Sequence, residues 1–154
     1  LKYSVVSPDW TKQAHYQGTM VTSTVLNALS GRFVTKSSST NNWALTTATD
    51  AQCQWYDDTV DSSTAADEIH TILHSRELVV ELPYYNAGTN VLTAALLKAV
   101  IGETCDIYVA SNIQSANASA SSYDVIEIVG GDVDNNTLYC KRCPYPANAL
   151  AGVA

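Results

Sequence analysis

Apolar and polar residues alternate along much of the chain from Gly31 onward, and a period of two marks strands with one face in a core. Arg32-Phe33-Val34-Thr35-Lys36 alternates, residues 37–42 form a polar turn, and Trp43-Ala44-Leu45-Thr46 resumes the apolar pattern. Another strand spans residues 52–56 around Trp55. Residues 57–64, acidic and hydroxylic with no large apolar group after Val60, form a loop. Residues 65–75 fit two periods: Ala65, Ala66, Ile69, Ile72 and Leu73 share a helical face, while Ile69, Thr71 and Leu73 share one side of a strand. The strand is preferred, because the segment runs into Glu77-Leu78-Val79-Val80-Glu81-Leu82, a clear strand stopped by Pro83.

Residues 92–100, rich in Ala and Leu, form one helical turn or a buried strand broken by Gly102. Residues 104–110 are a strand, and the Ser-, Ala- and Asn-rich residues 111–122 an exposed loop. Residues 124–129 and 137–141 are strands joined by Gly-Gly-Asp-Val-Asp-Asn-Asn at 130–136, the strongest turn signal in the chain, and should form a hairpin. Residues 1–30 lack a clean period. They read as an extended arm with one short helix or strand, Val5 and Val6 beside Pro8, and a second apolar patch at 20–29. The expected fold is all-β: an arm (1–30), a compact antiparallel barrel or sandwich of about six to eight short strands (31–147) and a small tail (148–154).

Composition narrows the function classes. Apolar residues make up 46% of the 154 and charged residues only 15%, which argues against disorder and against a highly charged helical bundle. Ser and Thr number 31 and Tyr nine, against one Phe and one Met, a balance suited to strands and polar turns. The formal charge of −7 leaves no basic face for phosphates, and Lys141-Arg142 is the one adjacent basic pair, so no nucleic-acid partner is expected. No apolar run approaches the ~18–20 residues of a membrane span, and no signal-peptide core is present, so no membrane partner is expected either. The chain begins at Leu1, which leaves a processed start or a preceding leader open.

Candidate chemistry is sparse. Cys140-Lys-Arg-Cys143 has the spacing of half a zinc knuckle or a redox pair, yet Cys53 and Cys105 are isolated and no His lies near, so structural thiols or a disulfide are preferred. His70 and His74 are four apart, but a metalloprotease pattern needs Glu after the first His, and Thr71 stands there. On a strand the pair would be roughly 13 Å apart, too far to share a metal. Asp132, Asp134 and Asn136 open like a calcium loop. Its sixth and twelfth positions are then Thr137 and Cys143 rather than Gly and Glu, so the run serves the hairpin turn. His15, His70 and His74 are the only imidazole bases, and no nucleophile elbow, protease cysteine signature or phosphate loop accompanies them. No catalytic residue, metal or cofactor is expected.

The aromatic residues point to contact surfaces. Tyr84-Tyr85 after Pro83 is the best exposed candidate, and large amphipathic rings suit sugar faces, protein interfaces and β cores alike. Asn117-Ala-Ser119 and Asn135-Asn-Thr137 match the glycosylation pattern, which matters only in a eukaryotic secretory route.

The order of segments from Gly31 onward resembles the small β-barrel decoration, or cement, proteins of tailed-phage capsids. Gly31-Arg32-Phe33-Val34, a polar turn and Trp43-Ala44-Leu45 are similar to their opening hairpin, and residues 77–82 to their central strand. Gly102-Glu-Thr-Cys-Asp-Ile-Tyr-Val109, the Ser/Ala/Asn loop, Asp124-Val-Ile-Glu-Ile-Val129, the Gly-Asp-Asn turn and residues 137–141 resemble their closing half. Such proteins often follow the second strand with a Gly-Val pair, and Gln52-Cys-Gln-Trp-Tyr56 lacks one. The resemblance implies a non-enzymatic virion protein on the capsid exterior, a homotrimer that binds and stabilises the major capsid protein lattice. In that role Val5, Val6 and Trp10 of the arm would add to a neighbour's sheet edge, and Tyr84 and Tyr85 would join the interface. The alternatives are a carbohydrate-binding β-sandwich with Trp43, Trp55, Tyr84 and Tyr85 on one face, and an extracellular surface or pilus-like subunit with oxidised cysteines.

Overall fold

A computed structural model describes residues 5–7, 15–19, 32–36, 43–47, 54–56, 69–73, 78–111 and 113–143. They form eleven strands and one helix in two sheets, so the chain is all-β, with more strands than its hydropathy pattern suggests. The smaller-numbered strands build a five-stranded sheet: β2 (His15–Thr19), β6 (Ile69–Leu73), β5 (Gln54–Tyr56), β3 (Arg32–Lys36) and β4 (Trp43–Leu45), in that order across the sheet. The β3–β4 hairpin and the strand at 69–73 are as expected, and β2 draws part of the N-terminal region into this sheet.

The second sheet closes into a ring. β7 (Val79–Tyr85) pairs with β11 (Thr137–Arg142), then β10 (Ile126–Asp132), β8 (Thr104–Ala110) and β9 (Ile113–Asn117) follow, and β9 returns to β7. The last pairing is parallel and spans two residue pairs, Tyr84↔Ala116 and Tyr85↔Asn117, whereas the other pairings of the ring are antiparallel. Closure of this kind removes open sheet edges, which otherwise invite further strands. β1 (Val5–Ser7) lies outside the ring on the first residues of β7, with Val5 opposite Val80 and Ser7 opposite Val79.

Alternation explains the wall of the ring. Val80, Leu82 and Tyr84 of β7 turn inward, and Ile107, Ile126, Ile128, Leu138 and Cys140 meet them in one core. Pro83 does not stop β7. The Tyr84 N–H donates to Asn136 O at 3.0 Å, so the neighbouring nitrogen of Pro83 faces away from β11, where its missing N–H leaves no gap in the ladder.

Residues 111–122 also depart from expectation. Ser111 turns the chain with φ of 50°, and β9 follows, with Gln114, Ser115 and Ala116 buried. Pairing with β7 and β8 on its two sides holds these small and polar residues in a strand.

Residues 94–100 form the helix α1 (Ala94–Val100), capped by Thr93, whose hydroxyl accepts from the Leu96 N–H at 3.2 Å. Leu92, Leu96, Leu97 and Val100 pack on one end of the ring. There α1 crosses β10 at Gly131. A Cβ on Gly131 would lie 2.7 Å from Thr137 O and 2.8 Å from Leu97 Cδ1, so a side chain here would collide with the β11 backbone and displace the Leu97 side chain.

Candidate functional site

The residues singled out from the sequence do not form one surface. Tyr84 is 3% exposed and belongs to the core, its hydroxyl accepting from Asn86 Nδ2 at 3.2 Å, which corrects the expectation of an exposed Tyr84-Tyr85 pair. The reason is geometric: successive residues of a strand point to opposite faces. Tyr85 therefore faces outward, half-buried, and its ring stacks on Tyr108 with centroids 3.9 Å apart and planes 7° from parallel. A sugar-binding face carrying Tyr84 beside Tyr85 is excluded by the same alternation. Val5 and Val6 lie in β1 against β7 of their own chain, while Trp10, His74, Cys53 and the tail fall outside the described residues. His15 and His70 stand in the β2–β6 ladder, and Trp43 and Trp55 in β4 and β5.

Of these, Tyr84 and Tyr85 lie at the β7–β9 seam, and β1, with Val5 and Val6, lies on the same edge of β7. β7 pairs with β9 only at Tyr84 and Tyr85; at its other end, Val79 and Val80, it pairs with β1. The two strands thus part below Pro83, and β9 turns its Gln114 amide to the other sheet. Phe33 N–H donates to Gln114 Oε1 at 2.8 Å, and Gln114 Nε2 donates to Phe33 O and Thr46 O, both at 2.9 Å. Thr46 N–H also donates to Phe33 O at 2.9 Å, and the two hydroxyls of Thr35 and Thr46 lie 2.8 Å apart. One buried side-chain amide takes the place of a strand here, and Phe33, 3% exposed, enters the barrel core beside it. No periodicity could have indicated Gln114. The Tyr108 partner lay in a recognised strand, at an outward position.

The remaining polar groups serve the fold. Asp106, buried in β8, accepts the N–H groups of Ser122 (3.1 Å), Tyr123 (2.9 Å) and Asp124 (3.0 Å), so its carboxylate organises the chain before β10. Thr104 Oγ1 donates to Asp124 Oδ1 at 2.5 Å. The Asp132–Asn136 run is a turn, as its spacing suggested. Asp132 Oδ1 accepts from Asp134 and Asn135 N–H, and Asn136, at φ 56°, bonds Leu92 N–H and Asn90 O through its amide. Cys105 and Cys140 are free buried thiols. Burial, with the Asp106 and Asp124 carboxylates behind it, pushes Cys105 up to about 12, and burial raises Cys140 well above its ordinary value, so both stay protonated and poorly nucleophilic.

A groove of about 310 Å³ opens between α1 and the chain after β9. It is lined by Val100, Glu103, Cys105 and Ser119, among others, and by no histidine, lysine or arginine. Among the described residues, no three His, Cys, Asp or Glu side chains come together to hold a metal, and no helix is long and apolar enough to cross a membrane.

The chain matches no family model, no curated protein and no solved structure. The seam, with the strand that β7 accepts at its lower edge, is therefore the feature on which a functional reading rests.

Proposed function

We propose that this chain is a non-enzymatic structural protein of a virion, a capsid decoration protein that binds and stabilises the major capsid protein lattice as a homotrimer on the shell exterior. The observation that carries this reading is the β1–β7 pairing. A short strand of the chain's own N-terminal arm pairs with Val79 and Val80, within the stretch of β7 that β9 does not cover, and exchange of that strand between copies would join neighbours. Strand addition at such an edge supplies backbone bonds without a dedicated pocket, and is a common way for shell and surface proteins to join neighbours. The internal commitment of the Asp106 and Asp132 carboxylates and of the Cys105 and Cys140 thiols agrees with a structural role. Free thiols in the barrel core favour the shell protein over a surface subunit stapled by disulfides.

Light scattering after size exclusion tests the assembly half of the proposal. A species near three times 16.5 kDa is expected, and a monomer at every concentration would remove the trimer. Cosedimentation of the full chain with undecorated capsid shells tests the other half; a chain that stays in the supernatant at all ratios counts against shell binding.

A further inference from the structure

The outer face of the seam carries a pair of aromatic rings whose geometry suits a covalent reaction. Tyr85 leaves β7 opposite Asn117, and Tyr108 leaves β8 opposite Ser115, so β9 runs between them. Both rings lean over that strand, where Ser115 is small and buried, and meet face to face. A centroid separation of 3.9 Å at 7° leaves the rings only slightly offset, closer to a sandwich than isolated aromatic pairs prefer. Contact with the Tyr108 phenol also holds the Tyr85 phenol above its ordinary value. Tyr108 is 36% exposed, so an oxidant in solution reaches the pair.

We propose that Tyr85 and Tyr108 form an intrachain dityrosine cross-link when the protein meets a one-electron oxidant such as a haem peroxidase with hydrogen peroxide. Each phenol gives up one electron and its O–H proton, and the two phenoxyl radicals carry spin density on the ring carbons beside the oxygen. The stack holds the two rings with centroids 3.9 Å apart, so that one Cε of each ring comes within reach of the other as the rings move, and the two unpaired electrons pair into one Cε–Cε bond. Each Cε–H proton then returns to its oxygen as the ring regains aromaticity. The chain loses two hydrogen atoms in all, and one hydrogen peroxide is reduced to two waters. The competing thiols Cys105 and Cys140 are buried and protonated.

The consequence lies in the seam. The bond would tie β7 to β8 across β9, where the ring is otherwise closed by two residue pairs. It would enclose residues 85–108, including α1, in a covalent loop, so a barrel assembled by weak closure becomes one that cannot open at that point. This inference does not rest on the capsid reading and holds for any role of the barrel.

The test is oxidation of the full chain at low concentration with peroxidase and limiting hydrogen peroxide, followed by separation of the monomer. Dityrosine fluorescence in the monomer fraction is expected, with a mass lower by two hydrogen atoms, and peptide mapping that joins the peptides of Tyr85 and Tyr108. Tyr108→Phe and Tyr85→Phe, which keep the ring stack, should each lose the monomer signal, while Tyr123→Phe retains it. Dityrosine found only in species of higher mass, mapped to other tyrosines of the nine, or persisting in Tyr108→Phe would overturn the proposal. So would its absence. The mapping of the unaltered chain decides the question even if a variant fails to fold.

Discussion

The two sides of strand β7 are held by different means. On one side, β11 pairs with it through five consecutive residues, Val79 to Pro83, above a core of Leu82, Leu138, Val80 and Cys140. On the other side, two residues pair with β9, two with β1, and the interval contains a proline nitrogen with nothing to donate. The first side is an ordinary hydrophobic wall. The second is a seam in which one amide, two stacked phenols and a borrowed strand complete what the ladder leaves open. Stability should therefore be concentrated in the wall, and adaptability in the seam.

The largest effect that would break this picture lies in the wall. Leu138 is fully buried opposite Leu82, and Leu138→Ala deletes packing at the centre of the core, an expected loss of about 3 kcal/mol. The urea midpoint should fall for the whole chain at unchanged slope. A loss below about 1 kcal/mol would mean that the wall is not the dominant unit.

A smaller and more local effect is expected in the seam. Gln114→Ala removes the acceptor used by the Phe33 N–H and the donor used by Phe33 O and Thr46 O, at a cost of about 2 kcal/mol. Amide exchange should accelerate at Phe33 and Thr46 while the amides of Leu138 and Cys140 keep their protection. Equal acceleration in all four would show that seam and wall open as one unit, and the contrast between them would not stand.

The same contrast decides how much was legible in the sequence. The wall announces itself: Val79 to Leu82 alternates, residues 104–110, 124–129 and 137–141 have the composition of strands, and the Gly-Asp-Asn run marks the hairpin of the last two. The seam does not. Ile113 to Asn117 reads as a loop because its inward residues are one amide and one methyl group, and hydropathy cannot see a strand stabilised by a side-chain hydrogen bond. Pro83 reads as a terminator because its effect depends on which neighbour its nitrogen faces, a property of register. Tyr84 was recoverable. Carrying the period of Val80 and Leu82 one step past the proline puts it in the core, and puts Tyr85 outside.

The smallest expected effect concerns the hairpin turn that joins β10 to β11, the strand that pairs with β7 in the wall. Asp132 accepts Asn135 N–H at 3.2 Å, the Asn135 amide at 2.6 Å and Asp134 N–H at 2.9 Å, and these bonds, those from Asn135 foremost, hold its carboxyl below the ordinary range. A carboxylate depressed in the folded chain contributes stability that is fully present above the unfolded value of about 3.9 and lost as pH falls through the folded value. Comparison of urea midpoints for the unaltered chain and Asp132→Asn should therefore show a small gap at pH 7 that narrows on acidification below pH 4. A gap independent of pH would assign the loss to altered geometry rather than to charge. No gap at any pH would leave the turn to Asn136, whose left-handed φ of 56° and two amide bonds to residues 90 and 92 fasten the hairpin to the approach of α1. The wall would then be held at its tip by a conformational preference and two neutral bonds, and its stability would not depend on any exposed charge in the turn.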